Sequence, residues 1–314
     1  MLRFHLLDAE RLVRKCDFGH CDLSSSVRIL HHMYTHLRII DESLSLVHNS
    51  SSRDTAELDV NGCQSAVDTR AFCMTEESLQ FCIENAPDKP QELGLKDLHL
   101  QLPGRWRQTM YPAIYGVPES LMTLIARTVS LANERARLQM PAHCNSNTFS
   151  LLSDHIKALE KAIWSWSLSN EIPSAMGPVR SPQRQTSDSS NENLLDNHCT
   201  QLMTLAIHQA LIVYFYRRIS DVSAMLLQDA VRRVLDKLEP CLEEMINDQD
   251  FALSLAWPGF IAASEAVIPE LQERALRSLH TIDNRGFFFT PKSATTTVLS
   301  TWKKREQMGD LIIH

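Results

Sequence analysis

Between Asp97 and Glu134 the chain reads DLHLQLPGRWRQTMYPAIYGVPESLMTLIARTVSLANE, an aromatic, proline-rich lead-in that runs straight into a strongly periodic segment. From Leu121 onward Leu121, Leu124, Ile125, the Thr128 methyl, Leu131 and Ala132 recur at steps of three and four, so one helical face is apolar and the other carries Arg127, Asn133 and Glu134. Pro118 fits the first turn, where its missing N–H is no loss, and Glu119 complements the positive end of the helix dipole. Ahead of it Trp106, Tyr111, Pro112, Tyr115, Gly116 and Pro118 are predicted to be irregular, with three large rings that bury much apolar area. This predicts a buried, shaped entry to a central helix, a packing element before it is a pocket wall.

The rest of the pattern is helical as well. Amphipathic helices are predicted over 6–14 and over 24–47, the latter with Val27, Leu30, Tyr34, Leu37, Ile40 or Asp41, and Leu44 as its stripe. Others cover 149–168 and 222–238, while 194–219, apolar nearly all round at ALIVYFYRR, is predicted to be the most buried. Pro240 is predicted to restart the chain, Pro258 to fix the entry or a kink of 251–266, and Asn284 with Gly286 to stop a charged surface helix over 271–282. The last helix, about 294–307, has Val298 and Trp302 as inward anchors. A short helix from Thr75 to Cys82 and mobile loops at about 49–70 and 170–193 complete the chain. With nine glycines in 314 residues and few alternating β-branched runs, the fold class is all-α, one multi-helix globular domain over 1–314.

A net charge of −7 argues against a broad basic face wrapped around nucleic acid. The most apolar window, 202–219, is interrupted by His208, Gln209, Arg217 and Arg218 and falls short of the roughly 20 apolar residues of a membrane span. The opening MLRFHLLDAERLVRKC lacks the marks of a secretory signal, so no membrane or export role is expected. Eight scattered cysteines read as reduced intracellular thiols.

His32 and His36, with His31 beside them, have the spacing two imidazoles need to share a metal, but Met33 stands where the zinc-protease pattern requires glutamate. Ordinary surface and boundary histidines are the plainer reading. Cys16, His20 and Cys21 lack a second pair at zinc-finger spacing, and phosphate-loop, dinucleotide and nucleophile-elbow motifs are missing. Glu243, Glu244, Asp248 and Asp250 read as a solvated acidic turn. No catalytic, cofactor or metal-binding residue is therefore assigned. A ligand pocket, if the domain has one, is expected at Trp106, Arg107, Tyr111 and Tyr115, where aromatic walls and a guanidinium suit a small amino acid.

Three blocks together carry a resemblance: LDAERLVRKC with VRILHHMYTHLRIIDESLSLVH; GLKDLHLQ followed by RWRQTMYPAIYGVPESLMTLIARTVSLANE; and FALSLAWPGFIAASEAVIPELQERALRSLHTID with the Trp302 helix. They resemble the fungal-specific regulatory domain that follows the binuclear zinc cluster in fungal transcription factors, and within it the arginine metabolism regulatory protein branch. The resemblance implies a nuclear regulator with an all-helical domain of the middle-homology-region type. Its expected partners are the transcriptional machinery or other regulators, a small-metabolite effector and a second copy of the chain. The family's DNA reader needs six closely spaced cysteines and a basic run, which this sequence does not contain, so DNA contact is expected only through a zinc cluster outside it. The competing expectations are an all-α metal-dependent enzyme and a ligand-free helical protein-binding scaffold.

Overall fold

Few glycines and long runs of residues that lose little rotamer freedom in a helix give an all-α fold: of the described residues 84% are helical, in 11 helices and without strands, as the all-α expectation requires. The computed structural model describes residues 2–15, 25–49, 72, 88–102, 104–107, 109–138, 146–168, 190–244, 252–284 and 291–308. The helices are α1 (Leu2–Lys15), α2 (Ser25–Asn49), α3 (Gln91–Lys96), α4 (Tyr111–Tyr115), α5 (Glu119–Leu138), α6 (Ser146–Ser165), α7 (Ser190–Arg218), α8 (Gln228–Glu244), α9 (Ala252–Glu265), α10 (Pro269–Asn284) and α11 (Pro291–Met308). The 75–82 helix, the Cys16, His20 and Cys21 group, Asp248, Asp250 and most of the two expected loops lie outside the described residues. Helix α7 starts at Ser190, inside the second of those loops.

Contacts divide the chain into two compact units, the first Met1–Ile114, Glu119–Trp164 and Arg218–Asp221, the second Tyr115–Pro118, Ser165–Arg217 and Val222–His314. In the first unit α5 is buried nearly all round: Leu121, Ile125, Val129 and Leu131 are inside, and so are Arg127 and Glu134 of the expected polar face. Helix α2 buries part of its predicted apolar stripe, Tyr34 with Leu37 packed against the same cluster, together with a polar face that the stripe did not mark. Leu30 lies 65% exposed, while His31, His32, Thr35, Arg38, Ile39 and Glu42 are buried. The reason is that this polar face finds partners: Tyr34 Oη donates to Glu10 Oε2 at 2.8 Å, Arg38 Nη1 to Glu42 Oε2 at 2.9 Å, and Asn133 Nδ2 to Glu42 Oε1 at 3.1 Å. Satisfied buried polar groups override hydropathy. The aromatic lead-in is also more regular than expected, since Tyr111–Tyr115 forms a helical turn in which Pro112 suits the first positions.

In the second unit α8, α9 and α10 meet through hydrocarbon: Val231, Val234, Leu235, Leu238, Leu255, Ala262, Leu271, Ala275, Leu279 and Ile282 are all at 0% exposure. Pro240 does not restart the chain but lies within α8, because the buried stripe continues past it through Cys241 and Leu242. Pro258 likewise sits inside α9. The centre of α7, from Ala206 to Phe215 apart from Gln209, is buried on every side, as its apolar run predicted. Helix α11 closes this unit through Val298, the Trp302 Nε1–H bond to the Ala263 carbonyl at 2.9 Å, and the Arg305 bond to the Ser264 carbonyl at 2.6 Å.

Candidate functional site

The first unit gathers buried charge and aromatic rings around the C-terminal end of α3. Asp97, the residue after that helix, accepts the Gln101 N–H at 2.7 Å, the Leu102 N–H at 3.0 Å and the Lys89 ammonium at 2.8 Å. This clasp holds Leu100 in the left-handed region, φ 50°, which a branched side chain enters only under constraint. Lys89 is 1% exposed at its side chain and also faces Glu119 at 3.5 Å. Burial pushes the Glu119 carboxyl above its ordinary value, and the Lys89 charge and the Trp106 N–H at 3.4 Å pull the other way.

Trp106 is set by the backbone before its ring matters. Lys89 N–H donates to the Arg105 carbonyl at 2.7 Å, and Lys89 and Trp106 form an isolated bridge. The indole then lies flat against Gly94, where an added Cβ would stand 2.5 Å from Cγ, so only glycine fits. On its other contacts Trp106 stacks on His32, centroids 5.2 Å apart at 18°, and meets His31 edge-on at 5.9 Å; Tyr111 tilts against His32 at 4.5 Å.

The histidine protonation states follow from their partners. His32 Nδ1 lies 2.7 Å from the Arg28 carbonyl, so it carries the proton, and Nε2 accepts the Met110 N–H at 3.1 Å. His31 donates from Nε2 to the Leu95 carbonyl at 2.9 Å. Desolvation lowers all three: His31, with His32 adding to the effect, falls to about 4, His36 falls to about 4, and His32 falls below its usual value. The lone pair of His32 that a metal would need is committed to a backbone amide. Among the described residues no group of three or more His, Cys, Asp or Glu is placed to hold a metal.

Several buried polar atoms in this unit have no hydrogen-bond partner among the described residues: Trp106 Nε1, Glu119 Oε2, His31 Nδ1, and Arg127 Nε and Nη1. Arg127 is 5% exposed. Desolvation lowers its pKa against the counter-pull of Asp97. Two of its guanidinium nitrogens, Nε and Nη1, find no hydrogen-bond partner among the described residues, in contrast with Arg38 in the same unit, which is fully buried yet bonded to Glu10 and Glu42 and stacked 5.0 Å from the Phe72 ring. Desolvated donors of this kind are costly unless something pairs them, and what such a site can do is take up an anionic or zwitterionic partner.

Of the four residues expected to line a pocket, Trp106 and Tyr111 come together over His32. Arg107 stands 82% exposed at its side chain and pairs with Asp88 at 2.5 Å. Tyr115 belongs to the second unit, where its carbonyl accepts the Ser254 hydroxyl at 3.0 Å. Sequence reasoning passed over Lys89, Asp97, Glu119 and Arg127 as site residues. Nothing in the local pattern marks them, since each reads as an ordinary surface charge until long-range packing buries it.

The described residues form an all-helical body that buries His31, His32 and His36. The model of the fungal specific transcription factor domain matches residues 2–314, and the chain belongs to that family. The family is a regulatory, non-enzymatic kind of protein, which gives this chain a regulatory role in a fungal transcription factor. Comparison with curated proteins and with solved structures returns no match. No helix among the described residues is long and apolar enough to cross a membrane.

Proposed function

We propose that the chain is the signal-receiving and partner-binding part of a nuclear transcription factor that controls arginine or other nitrogen-metabolism genes, a single regulatory domain that performs no catalysis. The observation that carries this reading is the family match over residues 2–314. The arginine assignment is supported by the WPGF and YPAIYGVPES blocks, which resemble that branch. In this reading DNA is reached through a zinc cluster outside this sequence, and the transcriptional machinery, other regulators or a second copy of the chain receive the signal. Comparing transcripts of a deletion strain with its parent on arginine as sole nitrogen source tests the assignment; unchanged arginine and nitrogen genes would remove it.

The effector in this proposal is a small amino acid, arginine first, bound in the first unit beside Trp106 and Tyr111, with the exposed Arg107 and the Nε and Nη1 donors of Arg127, which have no partner among the described residues, offered to a carboxylate. Such a ligand shifts the domain only by binding one of its arrangements better than another. Calorimetric titration of the full chain with L-arginine should release heat and raise Tm, and Arg127→Met should abolish both. Titration without heat or thermal shift would remove the effector and leave the transcriptional reading to the transcript comparison.

A further inference from the structure

Away from that cluster, one pair of nucleophilic side chains stands out in the second unit. Cys199 on α7 is partly exposed and Cys241 on α8 is buried at 0%; both are thiols, not a disulfide. Their Sγ atoms are 2.9 Å apart, less than an ångström beyond the roughly 2.05 Å of a disulfide bond. Each sulfur also approaches the other residue's carbonyl oxygen, Cys199 Sγ at 3.8 Å and Cys241 Sγ at 3.6 Å, so the two side chains lie across each other rather than merely sharing a neighbourhood. His198 Nδ1 and Glu244 Oε2, 3.2 Å apart, tie the same two helices together beside the thiols and fix their register. A cysteine used only as a small buried hydrophobe has no need of a second sulfur at this distance.

We propose that Cys199 and Cys241 form an oxidation site, a dithiol that a peroxide converts into a disulfide joining α7 to α8. Cys199, the more exposed, reacts first: its thiolate attacks the peroxide O–O bond, giving a sulfenic acid and releasing water or an alcohol. The buried Cys241 sulfur then displaces hydroxide from the sulfenic acid, forming the S–S bond. The thiol proton leaves with that hydroxide as water. The balance is two thiols and one hydrogen peroxide giving one disulfide and two waters, with the two electrons passing to the peroxide oxygens. A dithiol reductant reverses it by exchange through a mixed disulfide. The bond closes a loop across a sequence separation of 42 residues, spanning α7 from Cys199 to its end, the turn after it and most of α8. Oxidation would therefore fasten two helices of the second unit without touching the polar cluster of the first.

The test is peptide mapping of the full chain, reduced, treated with hydrogen peroxide, alkylated under denaturing conditions and digested. The peptides of Cys199 and Cys241 should be recovered as one cross-linked species lacking two hydrogens, and dithiothreitol should return both as alkylated thiols. Tm should rise on oxidation by roughly 5 °C or more, as closure of a loop of this length implies, and Cys199→Ser should abolish the rise. A sulfinic acid on Cys199 with Cys241 still alkylated, a cross-link from either to another cysteine, or no reaction at Cys199 would each overturn the proposal. The wild-type map decides the matter even if the serine variant folds poorly.

Discussion

In the first unit the residues at or near zero exposure include Arg38, His32, His36, Lys89, Asp97 and Glu42, whereas α8, α9 and α10 of the second unit meet almost wholly through valine, leucine, isoleucine and alanine. Both units are helical, but they are held differently. A hydrocarbon interior is favoured roughly in proportion to the area it hides and tolerates small rearrangement. A buried charge web contributes little net stability, because desolvation offsets the attraction, yet it penalises any geometry that leaves a member unpaired. The first unit has a hydrocarbon interior too, with Leu121, Ile125, Val129 and Leu131 at or near zero exposure, so the charge web is what it adds to the common plan. The second unit pairs buried charges as well, as where Glu265 bridges Arg217 at 2.8 Å and Arg305 at 2.5 Å.

The hardest blow to this contrast comes from removing one member of the satisfied web. Arg38→Met leaves the Glu10 and Glu42 carboxylates buried beside an uncharged chain, and should destabilise by about 3–5 kcal/mol in denaturant unfolding. A loss below about 1 kcal/mol would mean that the web is not tightly packed, and that the two units differ less than their burial suggests.

Acid should act next, and mainly on the first unit. His31 and His36 are held neutral with folded pKa values of about 4, against 6.5 for the ordinary group, so between those values the unfolded chain binds the more protons. Their contribution is fully present above the ordinary value and is lost as pH falls from 6.5 towards 4, at about 1.4 kcal/mol per pH unit for each. From pH 7 to pH 5 the pair should cost about 2–4 kcal/mol. Glu119, whose pKa is raised by burial, works in the opposite sense. The diagnostic is therefore the difference between wild type and His36→Gln, whose unfolding free energy should fall less steeply with pH. Parallel profiles would show that His36 is not held neutral by the fold.

These two sites also show where reading the sequence succeeds and fails. The apolar α7 centre and the Val298 and Trp302 anchors are legible because hydropathy with helical period decides them, whereas α10, expected to be a charged surface helix, buries a stripe through Leu271, Ala275, Leu279 and Ile282. Helix α2 is misread by the same rule. Its apolar Leu30 points out and its histidines point in, where Leu95 and Met110 are partners of His31 and His32, while Glu10 and Asn133 bond Tyr34 and Glu42 of the same helix. Those partners lie tens of residues away, and no local pattern announces them. Of the expected pocket, Trp106 and Tyr111 were legible as large rings in an irregular stretch. The Lys89, Asp97 and Glu119 cluster was not, because a charge on a helix or loop reads as solvated until its burial is known.

The third prediction concerns Gly94, where an alanine Cβ would stand 2.5 Å from Trp106 Cγ, 2.6 Å from Cδ2 and 2.8 Å from Cδ1. An indole stacked on His32 and tied to Lys89 through its backbone cannot slide away without disturbing both. Gly94→Ala should destabilise by about 1–3 kcal/mol despite the better helix propensity of alanine. It should also change the Trp106 environment, read as a shift in tryptophan fluorescence that Trp106→Phe removes. An unchanged spectrum with unchanged stability would show that the ring moves freely.

Gly259 supplies the matching experiment in the second unit, with the smallest expected effect. Its added Cβ would lie 2.9 Å from Ile282 Cδ1, 3.5 Å from Leu238 Cδ2 and 3.8 Å from Leu279 Cδ2. The nearest atom is the free end of a flexible side chain, which can rotate by a few tenths of an ångström, and glycine in a helix interior already costs about 1 kcal/mol relative to alanine. The two terms oppose each other, so Gly259→Ala should change unfolding free energy by less than about 1 kcal/mol in either direction. Equal losses at Gly94 and Gly259 would mean that both interiors are packed with the same rigidity. A loss at Gly94 alone would locate the stiff framework around Trp106, in the unit proposed to receive the signal.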